Sequence, residues 1–223
     1  MAAPTSSRAT FNAHAWCAIA AAVLLWPGAR ATPVAQGDLF DEIYRQGQSF
    51  ERNLRTVRAK FTETSTSRLL KQPLVARGVL AVERPSKIVL LYMEPEARTV
   101  LIDGDTLRMV WPSRDIAQRK DIGAAQRRVE KYFVGASPAE LRAHFAIDAA
   151  VDPSTPRHWL VRMTPTRRQI KEAIARIDLR IAQETVMLTS MSITFPNRDV
   201  KTMTFEQVVI NEPIDPALFR LPR

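Results

Sequence analysis

Few side chains in this sequence have the type and spacing that catalysis requires. Beyond residue 31 the histidines are His144 and His158, and they lack the spacing of a metal-ligand pair. Asp103 and Asp105 are two neighbouring carboxylates, but they flank Gly104, and Asp-Gly sequences typically build tight turns. The chain has no G-x-S-x-G nucleophile motif, phosphate-binding loop or dinucleotide fingerprint. We therefore expect no enzymatic activity and no metal or cofactor.

One charged residue falls among apolar positions. Successive side chains of a strand alternate between its two faces, so Arg84 shares a face with Leu80 and Val82. A charge on such a face must find a partner or reach water, because burying it alone is costly. Two interpretations are open: an arginine whose stem covers apolar surface while its head reaches water, and an arginine that bonds to a covering element.

The elements around Arg84 predict an extensive apolar wall. Short strands with tight connections run from Gly78 to Trp111, and their alternating positions can form one continuous surface. Such a wall is either an ordinary core or the lining of a cavity. Its predicted inward residues, with those of the strand before it and two later strands, are Phe61, Leu80, Val82, Ile88, Leu90, Tyr92, Val100, Ile102, Leu107, Met109, Trp111, Met191, Ile193, Phe195, Met203 and Phe205.

The order of elements predicts a mainly β (α+β) fold. Residues 38–57 carry apolar side chains at helical spacing, with Asp38 as a plausible N-cap. Helical composition at 126–133 and a capping box at Ser137-Pro138-Ala139-Glu140 indicate short inserted helices. The predicted strands cover residues 59–69, 75–83, 87–93, 98–103, 106–111, 157–164, 175–181, 187–195 and 203–209.

About ten such strands with short links favour a single antiparallel meander sheet, and a sheet of that size curls. We expect an incomplete barrel, covered by the N-terminal amphipathic helix and the short inserted helices, with residues 213–222 closing the edge of the sheet. A barrel of this kind either fills with side chains or encloses a ligand.

The N-terminus predicts export. An apolar run from Ala15 to Trp26, followed by Ala29-Arg30-Ala31, is typical of a signal peptide over residues 1–31, and the alternative is an N-terminal anchor helix. Residues 32–223 then form one domain. The only cysteine is Cys17, so the exported chain has no disulfide, which fits a bacterial periplasm.

The charge of the chain points to anionic surroundings. The formal net charge is +9, and removal of residues 1–31 leaves the protein basic. Exported basic proteins often meet anionic membrane surfaces or acidic partners. Nucleic acid is not expected as a partner, because aromatic residues are not interleaved with the basic ones as on a base-stacking surface.

Several motifs occur together in a familiar order. They are the sequence G-V-L-A-V-E-R-P at 78–85, Tyr92, Pro95, the strand-turn-strand at 101–107 and the tail D-P-A-L-F-R-L-P at 215–222. With the long helix before Phe61 and the signal peptide, this order resembles the periplasmic outer-membrane lipoprotein carrier family, the LolA-type proteins, over nearly the whole exported chain. Two departures are the aliphatic Ile88 and Leu90, where the family often has aromatics, and the basic segment 164–172.

The resemblance implies an unclosed barrel with a helical lid over an apolar cavity for lipoprotein acyl chains, and it places the lid latch at Arg84. Because helices that could cover the sheet flank and interrupt it, we predict that the sixteen inward residues line this cavity and contact the acyl chains. It implies a monomeric periplasmic carrier that receives acylated lipoproteins from an inner-membrane ATP-driven release complex and passes them to an outer-membrane acceptor lipoprotein. The alternatives are a carrier of another envelope lipid or glycolipid, and a module that senses lipoproteins.

Overall fold

The computed structural model describes residues 38–123 and 137–220. The predicted signal peptide and the predicted helix at 126–133 lie outside these residues. Helix α1 spans Leu39–Glu51, and Asp38 caps it by accepting a hydrogen bond from the backbone N–H of Phe40 at 3.0 Å. This confirms the predicted helix start, although the helix ends six residues before the predicted position 57.

The described residues contain eleven strands. Six precede the short helix α2 (Pro138–His144), whose predicted capping box between Ser137 and Glu140 is formed, and five follow it, interrupted by the one-turn helix α3 (Arg168–Lys171). The strands are β1 (Thr56–Thr66), β2 (Leu74–Glu83), β3 (Lys87–Glu94), β4 (Arg98–Asp103), β5 (Thr106–Trp111), β6 (Ile116–Asp121), β7 (Phe145–Val151), β8 (His158–Pro165), β9 (Arg176–Ala182), β10 (Leu188–Thr194) and β11 (Val200–Ile210).

All eleven strands form one open antiparallel sheet, as predicted. Their order is β6-β5-β4-β3-β2-β1-β11-β10-β9-β8-β7, so the first and last strands pair in the middle, and β6 and β7 are the edges. The sheet thus consists of two meanders joined at the β1–β11 pair.

Two strands were not predicted from the sequence. Strand β6 is exposed at every position and therefore shows no apolar alternation, and β7 follows the capping box so closely that its residues resemble a continuation of the helical insertion. Both are edge strands, which need only one neighbour and bury less surface than the central strands. The weak apolar alternation of β6 and β7 therefore reflects their position at the edges of the sheet.

The two faces of the sheet carry two separate apolar clusters. The inner face, α1 and α2 share one large apolar core that includes Phe40, Leu141 and Ile193. The outer face of β2, β3 and β4 carries a second, small cluster of Ala81, Val89 and Leu101.

The C-terminal tail packs on that second cluster. A 3-10 helix over Pro216–Phe219 places Leu218 and Phe219 against it, together with Ile214. The prediction that the tail would close the edge of the sheet is therefore wrong: it covers the outer face of central strands. Within the described residues, no helix is both long enough and apolar enough to cross a bilayer.

Candidate functional site

An apolar cavity of about 120 Å³ lies between helix α1 and the inner face of the sheet. Its walls come from α1 and the chain just after it, from β1, β8, β9 and β11, from one residue each of β2 and β10, and from the turn that joins β9 to β10. The lining residues are Phe40, Ile43, Tyr44, Gly47, Phe50, Leu54, Val57, Ala59, Leu80, Val161, Leu179, Ile181, Val186, Met187, Leu188, Phe205, Val208 and Ile210.

Helix α1 supplies the roof because its apolar residues recur every three or four positions along one side. Its first turns are firmly packed: Phe40, Ile43 and Tyr44 are each at most 6% exposed, and the rings of Phe40 and Tyr44 lie 6.2 Å apart. Further along, Phe50 is only partly buried. The cavity therefore lies below a helix that is anchored mainly at its N-terminal half.

Gly47 leaves a gap in the apolar face of this roof. A Cβ atom built on Gly47 would meet no atom within 4 Å, although the residue lines the cavity. The sequence showed a glycine on the apolar side of the helix, which costs helix propensity. In the structure, the missing side chain leaves open space beside the middle of α1.

A β-bulge shapes the floor of the cavity. The alternation that places Met203 and Phe205 inward predicts that Gln207 and Val209 also face inward. Instead Gln207 has a positive φ of 50°, and Val208 and Ile210 line the cavity together with Phe205. A bulge inserts one residue and so reverses the alternation beyond it. The prediction for Gln207 and Val209 is wrong for this reason.

All sixteen residues predicted as cavity lining belong to one apolar cluster, which confirms that they face the interior. Fourteen are buried, and Trp111 and Phe195 are partly buried. Leu80 and Phe205 also line the cavity. The others pack in the core outside this cavity: Phe61, Val82, Ile88, Leu90, Tyr92, Val100, Ile102, Leu107, Met109, Trp111, Met191, Ile193, Phe195 and Met203. Contact of any of the sixteen with a ligand stays a prediction.

Arg84 follows the end of β2 and lies in the turn that leads to β3. Its backbone N–H donates to the carbonyl oxygen of Arg55 at 2.9 Å, and its side chain is half-buried. Strand β2 ends at Glu83, one residue before Arg84, so the placement of the Arg84 side chain on the inner face stays a prediction. The predicted role as a lid latch therefore rests on the family resemblance.

A different arginine joins the helices over the sheet. Arg142 of α2 reaches the N-terminus of α1, where its guanidinium nitrogens lie 2.6 Å from Asp41 Oδ1 and 2.8 Å from Asp38 Oδ2. Its guanidinium also lies 5.1 Å from the centre of the Phe40 ring, and Phe40 lines the cavity. The sequence pattern indicated Asp38 only as a cap, so this contact was missed.

The charges of this contact are mutually stabilised. The backbone N–H of Phe40 and the Arg142 guanidinium hold the pKa of Asp38 below its usual value. Although partial burial opposes its charge, hydrogen bonds to Asp41 and Asp38 raise the pKa of Arg142. Because the pKa of Asp38 is lowered, its carboxylate stays charged at its usual titration pH. The ion pair with Arg142 is lost only when the pH falls through the lowered pKa. The contact between α1 and α2 is therefore intact at neutral pH.

We expect Arg142→Leu to loosen α1 without unfolding the protein. The pair is partly exposed, so its loss should cost about 1 kcal/mol of unfolding free energy or less. Amide hydrogen exchange in α1 should accelerate several-fold. Arg45→Leu is the matched control, because Arg45 pairs with Glu42 inside α1 and makes no link to α2. Equal exchange in the two variants would contradict a role for Arg142 in holding the helix.

A buried carboxylate lies beside the core, further along β1 than the cavity. Glu63 is 5% exposed and accepts a hydrogen bond from the Tyr92 hydroxyl at 2.8 Å. Lys201 Nζ lies 3.2 Å and an Arg98 guanidinium nitrogen 3.8 Å from its other oxygen. The Arg98 guanidinium also stacks 3.7 Å from the centre of the Tyr92 ring. Sequence alternation could have found this site, because Glu63 shares the inward face of Phe61.

The remaining candidates for chemistry are not brought together. Asp103 pairs with Thr106 across the turn at Gly104, whose φ is 52°, so the two carboxylates belong to a hairpin turn as the sequence indicated. Among residues 38–123 and 137–220 there is no group of three or more His, Cys, Asp or Glu side chains that could hold a metal ion. The arrangement of the site is suited to binding apolar material.

Comparisons with known proteins agree with this geometry. The chain resembles the crystal structure of an uncharacterized conserved protein from Thermus thermophilus, with a TM-score of 0.52, 9% identity and coverage of 83% of this chain and 96% of that one. It resembles MucB with a TM-score of 0.51 and 11% identity, covering 83% of this chain and 64% of that one. For lipoprotein LppX from Mycobacterium tuberculosis the TM-score is 0.48 at 14% identity, covering 79% and 97%.

Identities this low show the fold alone, and a search of curated protein sequences finds no match. The sequence itself is more informative. A family model described as outer membrane lipoprotein carrier protein LolA matches residues 52–222, which is most of the chain and extends from the end of α1 through every strand of the sheet. The chain therefore belongs to the LolA family of outer membrane lipoprotein carrier proteins.

Proposed function

We propose that this protein is a periplasmic carrier that binds the acyl chains of lipoproteins and ferries them from the inner to the outer membrane. Membership of the LolA family supports a lipid- or lipoprotein-binding role. The observation that carries the proposal is the cavity, which is lined almost entirely by apolar side chains and roofed by an amphipathic helix. The proposed role is binding without chemistry.

The free energy of burying acyl chains explains why a carrier needs a covered apolar cavity. Each buried CH₂ group contributes about 0.8 kcal/mol, so an acylated protein cannot cross an aqueous space unaided. A cavity of about 120 Å³ is similar in size to the ~150 Å³ cavity that accepts one benzene molecule. It has room for part of one acyl chain, so loading of a full chain requires α1 to move away from the sheet.

The remaining partners follow from the family. The carrier would receive acylated lipoproteins from an inner-membrane ATP-driven release complex, and would deliver them, as a monomer, to an outer-membrane acceptor lipoprotein. Its positive charge favours engagement of acidic donor or acceptor surfaces. A carrier of another envelope lipid or glycolipid would use the same cavity and differ in its cargo.

The test is the identity of what the protein carries. The protein is purified gently from a native host, and bound material is extracted and identified by mass spectrometry. We expect acylated lipoproteins, in an amount that changes in Arg84→Leu if Arg84 acts as a latch. A different extracted lipid would favour the alternative cargo. A protein that never carries lipoprotein or lipid would contradict both forms of the proposal.

A further inference from the structure

Exposed apolar side chains of the described residues are concentrated at one end of the sheet. This is the end at which β1 finishes and β2 begins, and we call it the hairpin end. The register of the strands places five of the six exposed large apolar residues there, and the sixth, Val151, lies at the opposite end. The five, with their exposed fractions, are Leu69 (94%), Leu74 (61%), Met93 (59%), Ile116 (40%) and Val75 (38%).

The β1–β2 hairpin holds Leu69 outward in a defined turn. The backbone N–H of Leu69 donates to the Ser67 hydroxyl at 3.2 Å, and that of Leu70 donates to the Ser67 carbonyl oxygen at 3.1 Å. Residues 71–75 that follow are all exposed. Single exposed apolar residues are ordinary on a protein surface, but a group rimmed by polar residues typically marks an interaction site.

Two cations accompany these leucines. Arg68 and Lys71 are exposed and flank Leu69 and Leu70, and neither forms an ion pair with a described carboxylate. The next cation along the chain differs, because Arg77 pairs with Glu94 at 3.0 Å. The tip of the hairpin therefore carries positive charge that is available to an anionic partner, next to apolar side chains that gain from leaving water.

We propose that this hairpin, residues 67–75, docks the protein on an anionic lipid surface. Leu69 and Leu74 enter the boundary between headgroups and acyl chains, while Arg68 and Lys71 contact the phosphates. Apolar burial and attraction to anionic lipid act together in such surface binding. An apolar protein partner would use the leucines but would gain nothing from two unpaired cations beside them.

The docking site lies away from the cavity. Ala59 lines the cavity and Thr66 ends β1, so about seven residues of extended strand, or ~23 Å, separate the cavity from the hairpin. A protein docked through the hairpin would therefore keep its cavity off the membrane surface. The proposal is independent of what the cavity carries.

The test is flotation of the purified protein with two vesicle types, phosphatidylcholine alone and phosphatidylcholine mixed with phosphatidylglycerol. We expect binding to the mixed vesicles that falls as salt is added. Leu69→Ser with Leu74→Ser should lower the partition about tenfold or more. Arg68→Gln with Lys71→Gln should lower it about 25-fold, at roughly fivefold per charge.

Val151→Ser is the matched control, because Val151 is 60% exposed but lies at the opposite end of the sheet, and it should bind as the unaltered protein does. Gly47→Phe separates docking from lipid uptake, since it fills the cavity and should leave flotation unchanged. All variants alter exposed or cavity positions, so circular dichroism should show an intact fold. The proposal is wrong if the unaltered protein does not float with anionic vesicles, or if the leucine variant floats as well as Val151→Ser.

Discussion

Gly47→Phe is expected to weaken binding of a fluorescent fatty acid while making the protein more stable. The new ring starts from a position where a Cβ meets nothing within 4 Å and extends into the cavity of about 120 Å³. Burying the ring contributes about 2 kcal/mol, and replacing a helical glycine adds up to about 1 kcal/mol. Ligand affinity should fall at least tenfold, because the ring occupies the space that the acyl chain needs.

The opposite signs of the two effects make this prediction specific. Gly47→Ala is the control, since it removes the glycine without filling the cavity. It should raise the melting temperature by about 2–4 °C and leave binding unchanged. Binding is measured by fluorescence titration and stability by thermal denaturation. Undiminished fatty-acid binding in Gly47→Phe would show that acyl chains bind elsewhere.

The sequence predicted the apolar interior of the sheet better than the position of the cavity within it. The inward face of each strand follows from local alternation, so residues such as Leu90 and Met191 were placed correctly in the interior. Which part of the interior stays unfilled depends on where α1 lies, and that is a long-range property. The strands after α2 supply more of the cavity wall than β2 to β5, which contribute Leu80 alone.

Alternation of side chains between faces is a poor guide where a strand contains a bulge or ends. It failed at Gln207, because a bulge reverses the faces, and at Arg84 it stays a prediction, because β2 ends one residue earlier. Neither a bulge nor the last residue of a strand has a strong sequence signal. The contact of Arg142 with Asp38 and Asp41 joins residues about a hundred positions apart, so no local pattern predicts it.

The buried charge at Glu63 has the largest expected effect on stability. Glu63→Leu would leave the Tyr92 hydroxyl without its 2.8 Å acceptor and would remove the carboxylate beside Lys201 and Arg98. Breaking a buried pair by removing one partner typically costs about 3–5 kcal/mol, because the remaining charge is uncompensated. Lys201 and Arg98 are 22% and 32% exposed and can partly rehydrate, so we expect a loss near the lower end, about 3 kcal/mol.

Chemical denaturation of Glu63→Leu and of a surface control measures this difference. Glu94→Leu removes a similar carboxylate from its pair with Arg77, but both side chains of that pair are more than 60% exposed. Exposed pairs contribute at most about 1 kcal/mol, so the control should be nearly as stable as the unaltered protein. Equal losses in the two variants would mean that burial adds nothing at Glu63. A larger loss for Glu63→Leu would mean that the folded state depends on a buried charged cluster beside its apolar interior.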